Sequence, residues 1–399
     1  MLNGVLDPII TPVMNTYQRA PIHLQKGKGS YVWDMEGDKY LDFTSGIATC
    51  NLGHVPDTVK KALEEQLDML WHCSNLYHIH VQEKLASILT DISCMDQVFF
   101  CNSGAEANEA AIKLARINAN NLKKNVSPVI VTFKQSFHGR TLATLSATGQ
   151  AKVQKGFDPL MPGFHYLTYN DAQDLKEIET ICPIAVMLEL VQGEGGVIPA
   201  NKEWVKELVT ICKKNNILLI VDEVQTGMGR TGTMFAYEQY DIEPDIVTLA
   251  KGLGSGFPIG AMLAKGSVAQ AFVPGTHGST FGGNPLAAAA GLATVKFLIS
   301  HIISKNNEMI TYLWNQLNHL NEAHPTITAI QGKGLLIGIV VDCNANQLVE
   351  AARKKGVLIL TAGQNVVRLL PPLTIRKEEI DQFINSFNKI LYEMEGCIQ

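Results

Sequence analysis

Positive charge is not in excess along this chain: 33 Lys and Arg face 38 Asp and Glu, and the net charge of −5 leaves no basic footprint for nucleic acid. Charged residues are only 18% of 399, against 46% apolar, which excludes a disordered chain. No uncharged apolar run approaches the roughly 18 residues that a bilayer span needs. The start, Met1-Leu-Asn-Gly-Val-Leu-Asp7, has neither a basic stretch ahead of an apolar one nor an Arg-rich amphipathic pattern, so no export or organelle leader is expected. Cysteines stand at positions 50, 73, 94, 101, 182, 212, 343 and 397 with no C-x-x-C pair, and read as reduced thiols of a cytoplasmic protein. Internal repeats, low-complexity tracts and long linkers are missing too. His78-Ile-His80 has no third residue spaced to complete a metal site, so no metal is expected.

What remains is an enzyme-sized globular chain, long enough for two lobes. From about residue 98, short apolar runs alternate with helical patterns: Val98–Cys101, a helix over Ala105–Asn120, then Val129–Phe133, Ile184–Leu188, Ile217–Val221, Ile246–Leu249 and Ile259–Ala264. That alternation predicts an α/β body on a mostly parallel sheet. Pro285–His301 predicts a long helix leading to a C-terminal lobe that carries strands at Leu335–Val341 and Val366–Leu370. Tyr31–Phe43 predicts a hairpin turning near Glu36-Gly37-Asp38.

Two strand ends carry the chemistry. Ile217-Leu-Leu-Ile-Val221 runs into Asp222, and Ile246-Val-Thr-Leu-Ala250 into Lys251-Gly-Leu-Gly-Ser-Gly256. Ligands of open parallel sheets sit beyond the carboxyl ends of the strands, so both side chains face one crevice. A carboxylate to hold a pyridine nitrogen protonated and an amine to form a Schiff base fit pyridoxal 5'-phosphate. A helix cap remains the plain alternative for Asp222, and a solvated side chain for Lys251. A dinucleotide site does not fit, because Gly252-Leu-Gly-Ser-Gly256 lacks the full fingerprint.

Other motifs surround that pair. Asn102-Ser-Gly-Ala-Glu-Ala-Asn-Glu-Ala110 turns a strand into a helix, leaving the N–H groups of Gly104 and Ala105 for a phosphate, or simply a turn capped by Ser103. Phe137-His138-Gly-Arg140 offers an aromatic face beside a cation suited to carboxylate, or a core ring and a surface ion pair. Val224 can press on one ring face and Gln225 reach its 3'-oxygen. Glu189-Leu-Val-Gln-Gly-Glu194 puts two carboxylates in a glycine-rich loop, and Thr276-His-Gly-Ser279-Thr280 is dense in hydroxyls. Arg368 is a lone charge in an apolar strand and wants a partner or a ligand.

Taken in this order, the motifs resemble the class III pyridoxal-phosphate aminotransferases over essentially the whole chain. The resemblance implies fold type I: a large domain on a seven-stranded, mainly parallel sheet, a small α+β domain from both termini, and a homodimer with shared active sites. It implies residues 1–50 packing with the small domain, 51–290 as the large cofactor-binding domain, and 291–399 as linking helix and small domain. It implies Lys251 as the cofactor-bonding lysine, Asp222 on the ring nitrogen, Phe137 and Val224 against the ring, and Gln225 on its 3'-oxygen, with His138 beside it. Ser103, Gly104 and Ala105 are implied at the phosphate, joined by Thr280 of the other subunit. Arg140, assisted by Tyr17 and Ser279, is implied at a substrate carboxylate. Arg368 is implied at the α-carboxylate of glutamate or 2-oxoglutarate, with Glu194 shielding it when the donor has no second carboxylate.

The implied reaction moves the terminal amine of N2-acetyl-L-ornithine to 2-oxoglutarate, giving N-acetyl-L-glutamate 5-semialdehyde and L-glutamate in arginine biosynthesis. Succinylornithine, N-succinyl-diaminopimelate, ornithine and 4-aminobutyrate are alternative donors. A decarboxylase, an aminomutase or a non-catalytic relative are alternative outcomes. Two positions depart from the family pattern: Leu190 follows Glu189 where proline is usual, and Ile47 stands where ornithine δ-aminotransferases carry tyrosine, which favours an acylated donor.

Overall fold

The computed structural model describes residues 12–122 and 128–396, so the Met1–Asp7 start and Cys397 lie outside the described residues. Its centre is a seven-stranded sheet in the order Gln97–Cys101, Gly260–Ala264, Ile246–Leu249, Leu218–Asp222, Ala185–Leu188, Ile130–Phe133, Phe164–Leu167. Gly260–Ala264 runs antiparallel to both neighbours, and the remaining pairings are parallel. Strands covered on both faces must be apolar at every position, which is why Ile130–Phe133, Ala185–Leu188 and Ile246–Leu249 read as unbroken apolar or β-branched runs. Their alternate side chains enter two separate cores. Val131, Val186, Leu219, Val221 and Val247 fill one, and Ile130, Ala185, Met187, Ile220 and Ile246 fill the other beneath helix Gly104–Asn121.

Every sheet strand expected from the sequence is present within one residue or so. Phe164–Leu167 is an additional edge strand, and its Phe-His-Tyr-Leu sequence buries only Leu167 fully, so no apolar run marked it. Helix Pro285–Phe297 starts with Asn284 accepting from the Ala287 N–H and with proline in the first turn, then continues as a π-helical turn over Leu298–Ile302. Pro285–Ile302 has the length and composition of a membrane-crossing helix despite Lys296, but it is a core helix here, with Ala287, Ala288, Ala290 and Val295 fully buried.

Segments from the first and last parts of the described chain meet in one place. The strands Leu24–Lys28, Tyr31–Asp34 and Lys39–Asp42 form an antiparallel meander that accepts Val357–Leu358 as a parallel fourth strand. Phe43 stacks on Phe383 of helix Lys377–Gly396 with ring centroids 4.3 Å apart. A second antiparallel sheet, Ile327–Lys333, Leu336–Val341, Val366–Leu369 and Leu360–Thr361, carries Arg368 opposite Gly338. Through Arg368 this sheet is tied to Gly193, Glu194 and Gln225, in the loops that follow central strands Ala185–Leu188 and Leu218–Asp222.

Candidate active site

A cavity of about 410 Å³ opens where the central strands end, within the size range of small-molecule sites. Asp222 ends strand Leu218–Asp222, while Ser103, Phe137, Glu189 and Lys251 each follow a different strand of the sheet, and all five line it. This is the crevice that the doubly wound topology leaves for a ligand.

One end of the cavity is an anion cradle. Ser103 caps helix Gly104–Asn121, its hydroxyl accepting from the Glu106 N–H, which leaves the preceding N–H groups of the first turn turned to the cavity. Glycine is required there by close approach, because a Cβ on Gly104 would stand 2.7 Å from Val224 Cγ1. Gly139, at φ +138, adds a second such approach, with a Cβ 2.9 Å from that of Ala105.

Asp222, also in the lining, is buried, 4% exposed, and held from three sides. His138 Nδ1 lies 2.8 Å from Oδ2, Asn108 Nδ2 donates to the same oxygen at 2.8 Å, and the Val224 N–H donates to Oδ1 at 3.0 Å. Asn108 is itself oriented, because its Oδ1 accepts from Thr248 Oγ1 at 2.7 Å. Among the described residues no cation pairs with it except through His138, whose buried Nε2 has no partner.

Lys251 follows strand Ile246–Leu249 with φ +39, a conformation that a lysine adopts only under constraint from its surroundings. Burial lowers its amine to about 8; Glu194, Asp222 and Glu189 pull it up and Arg368 pushes it further down. Glu189 accepts from the Phe137 N–H at 2.8 Å, and burial raises its carboxyl to about 7, with His138 opposing and Asp222 reinforcing the rise. An anion cradle, a buried carboxylate and an easily deprotonated amine around one cavity are the donor set that pyridoxal phosphate needs, so the residues present fit it.

The predicted carboxylate-binding residues divide. Arg368, 2% exposed, donates from Nη1 to Glu194 Oε1 at 2.6 Å, the Gly193 carbonyl at 3.0 Å and Gln225 Oε1 at 3.3 Å. Its Nε has no partner among the described residues. Gln225 therefore lines the cavity and braces Arg368 at once. Arg140 lies at the rim, exposed, its guanidinium 5.6 Å from the Phe137 ring centroid. Ser279 and Thr280 line an adjoining cavity of about 370 Å³, linked to the first through Asn102, whose Nδ2 donates to Ser279 Oγ at 3.3 Å. Tyr17 is 73% exposed and outside the lining of both cavities in the single chain. His78, set aside as a metal ligand, hydrogen-bonds Glu83 at 2.6 Å.

Asn108 and Thr49, which line the cavity, and Thr248, which orients Asn108, were not among the expected site residues. Asn108 sits one turn into the helix that Ser103 caps, so helical spacing from Gly104 was the signal that it faces the same crevice. Thr248 and Thr49 carry no local mark.

The comparisons with known proteins agree with this geometry. The family model described as aminotransferase class-III matches residues 13–391. The chain is 56% identical over 389 residues to the acetylornithine aminotransferase of Oceanobacillus iheyensis, covering 97% of this chain and 98% of that one. It is 47% identical over 384 residues to the Bacillus subtilis protein of the same name, covering 96% and 98%. Among solved structures, N-acetylornithine aminotransferase from Stenotrophomonas maltophilia superposes with a TM-score of 0.84 at 37% identity, over 96% of this chain and 98% of that one. Ornithine aminotransferase from Toxoplasma gondii superposes with a TM-score of 0.91 at 32% identity, over 96% and 93%. With a fold, a crevice and relatives that coincide along nearly its whole length, the chain belongs to the class-III aminotransferase family.

Proposed function

We propose that this enzyme transfers the terminal amino group of N2-acetyl-L-ornithine to 2-oxoglutarate, giving N-acetyl-L-glutamate 5-semialdehyde and L-glutamate. The observation that carries the reading is the Arg368–Glu194 ion pair beside Lys251, a built carboxylate site already occupied by an internal anion. Pyridoxal phosphate, when bound, supplies an aldehyde that takes up amines and a ring that accepts electrons from the adjoining carbon.

The residues divide that work. Gly104 and Ala105 N–H groups and the Ser103 hydroxyl would hold the phosphate, with Thr280 of a second copy completing the shell. Phe137 and Val224 would flank the ring, and Gln225 would meet its 3'-oxygen. Asp222 would keep the ring nitrogen protonated, its carboxylate held in place by His138 and Asn108. Lys251 Nζ would supply the amine that bonds the cofactor at rest and, when free, would serve as the base and then the acid that moves the proton of the donor's amine-bearing carbon.

Arg140 would clamp the donor's carboxylate, assisted by Tyr17 and Ser279. While a donor with a single carboxylate is bound, Glu194 keeps Arg368 neutralised. When 2-oxoglutarate enters, its second carboxylate displaces Glu194 and takes the guanidinium. Ile47 supports the acylated donor: it is 43% exposed, stands in a left-handed turn over Ser45–Ala48, and offers no hydroxyl to a charged α-amine.

We also infer a homodimer with shared sites. Met69, Trp71, Leu76 and Tyr77 are 61–87% exposed, and Asn75 of the same segment donates to the Ser279 and Gly282 carbonyls next to Thr280. An apolar patch contiguous with an active-site rim suits a second copy. Residues 1–50 and 291–399 are read as the small domain with its linking helix and 51–290 as the large one; the seven free cysteines described suit the cytoplasm.

The test is a single turnover of the cofactor-loaded enzyme with each candidate donor in turn, following cofactor absorbance. Acetylornithine is expected to react fastest, and Lys251→Ala to abolish turnover. Faster reaction with free ornithine or 4-aminobutyrate would reassign the donor, and carbon dioxide release would change the reaction class.

A further inference from the structure

Arg230, 1% exposed, is the largest of the fully buried side chains among the described residues, and no carboxylate there pairs with it. Its Nη1 donates to the Leu335 carbonyl at 3.0 Å and the Pro371 carbonyl at 2.5 Å, while Nε and Nη2 have no partner among the described residues. Burying an unpaired guanidinium costs several kcal/mol that an apolar side chain in its place avoids. What the two carbonyls do is therefore the question.

Leu335 and Pro371 lie across from each other at one end of a strand ladder. Strands Leu336–Val341 and Val366–Leu369 pair Ile337 with Leu369 and Gly338 with Arg368, and continuing that register sets Leu335 against Pro371. Proline has no N–H, so the ladder cannot extend by its own hydrogen bonds there. Arg230 supplies them: its guanidinium takes both carbonyls, and its own carbonyl accepts from the Leu335 N–H at 2.9 Å. Arg230 also lies on the loop that runs from Asp222, whose Gln225 accepts from Arg368 at 3.3 Å. The strand bearing Arg368 is thus tied to the cofactor-side loop at two points three residues apart.

We infer that Arg230 is a positioning residue for the dicarboxylate co-substrate, fixing the height of strand Val366–Leu369 so that Arg368 meets the incoming carboxylate. This rests on the reading of Arg368 given above. It goes beyond that reading by placing a determinant of acceptor affinity in a residue that touches neither substrate nor cofactor.

The experiment titrates glutarate, an unreactive dicarboxylate, into the cofactor-loaded enzyme and measures the two half-reactions separately. It uses Arg230→Met, Arg230→Lys and Arg368→Ala. A displacement near 1 Å costs on the order of 100-fold in well-oriented sites, so Arg230→Met should weaken glutarate and raise the KM for glutamate by at least about tenfold. The acetylornithine half-reaction should stay within about twofold. Arg230→Lys, whose amine can still serve both carbonyls, should recover most of the loss, and it carries the test alone if the methionine variant does not fold: a smaller loss confined to glutarate and glutamate is then expected. Equal loss in both half-reactions, or no loss in glutarate binding, overturns the inference while Arg368→Ala still abolishes glutarate binding. If Arg368→Ala leaves glutarate binding intact, the reading of Arg368 itself falls.

Discussion

Replacing Glu194 by glutamine should tighten dicarboxylate binding, because the carboxylate that a ligand must displace is then gone. Arg368 Nη1 and Glu194 Oε1 are 2.6 Å apart, with the arginine side chain 3% and the glutamate side chain 30% exposed. Burial pushes the Glu194 carboxyl up, but attraction to and a hydrogen bond from Arg368, with help from Lys251, leave it below the usual carboxylate range. Glu194 is therefore an anion at neutral pH and competes with any ligand carboxylate for the same guanidinium. Two unit charges about 4 Å apart attract by about 4 kcal/mol at an effective dielectric of about 20. The net worth of a charge-assisted hydrogen bond after solvation is smaller, about 1.5–3 kcal/mol. Glutamine keeps an accepting oxygen and loses only the charge, so the gain in glutarate affinity should be about tenfold and at most about 150-fold, at 1.4 kcal/mol per tenfold. The assay is a glutarate titration of the cofactor-loaded enzyme followed by absorbance, with butyrate as the monocarboxylate control. The acetylornithine half-reaction should slow, since its donor now sits beside an unneutralised cation. If glutarate binds the variant no more tightly than it binds the parent, Glu194 is not the competing anion and the proposed gate is wrong.

Lys251 gives a prediction in pH. An amine reacts with an aldehyde only when unprotonated, and burial brings this one from 10.5 down to about 8. The rate at which the cofactor-free protein takes up pyridoxal phosphate should climb about tenfold per pH unit below that value and level off above it; a rate still climbing through pH 10 refutes the lowered value. Asn108→Asp sets a second carboxylate where an amide now donates to Asp222 at 2.8 Å, and two carboxylates that close cannot both ionise. Cofactor affinity should fall about 10- to 100-fold, by the worth of a charge-assisted hydrogen bond, with a changed pH titration of the cofactor absorbance; an unaltered spectrum and affinity would remove Asn108 from the role given to it. Phe383, fully buried and stacked on Phe43 and Phe387, should cost about 3–5 kcal/mol on replacement by alanine, read from urea unfolding. A loss under about 1 kcal/mol would mean that the N-terminal segment is not packed on the last helix as described.

Much of the central sheet was legible because its strands are covered on both faces. Burial on both sides demands apolar residues without a break, and Ile246–Leu249 or Ala185–Leu188 announce themselves by that alone. Phe164–Leu167 escaped because an edge strand meets the core on fewer sides and is free to carry His165 and Tyr166. Strand order was not readable, since nothing in Gly260–Ala264 records that it inserts antiparallel between Gln97–Cys101 and Ile246–Leu249. The same rule sorts the site. Asp222, Lys251 and Ser103 each stand immediately beyond a recognisable strand, so local sequence sufficed to place them in one crevice.

Arg368 shows where local reasoning stops and what replaces it. Its strand belongs to a sheet whose tie to the crevice depends on contacts made more than a hundred residues away, through Gly193, Glu194 and Gln225 on one side and Arg230 further along. The sequence offered only the oddity of a charge in an apolar strand, and Arg230 offered less, being one arginine in a glycine-rich loop. Yet each is explained by the same physics: a buried guanidinium persists only where acceptors are built for it. For Arg368 those acceptors include a carboxylate, which on the proposed reading a dicarboxylate ligand replaces. For Arg230 they are backbone carbonyls that no ligand can replace. The first is therefore suited to exchange partners during turnover, and the second to hold the geometry in which that exchange takes place.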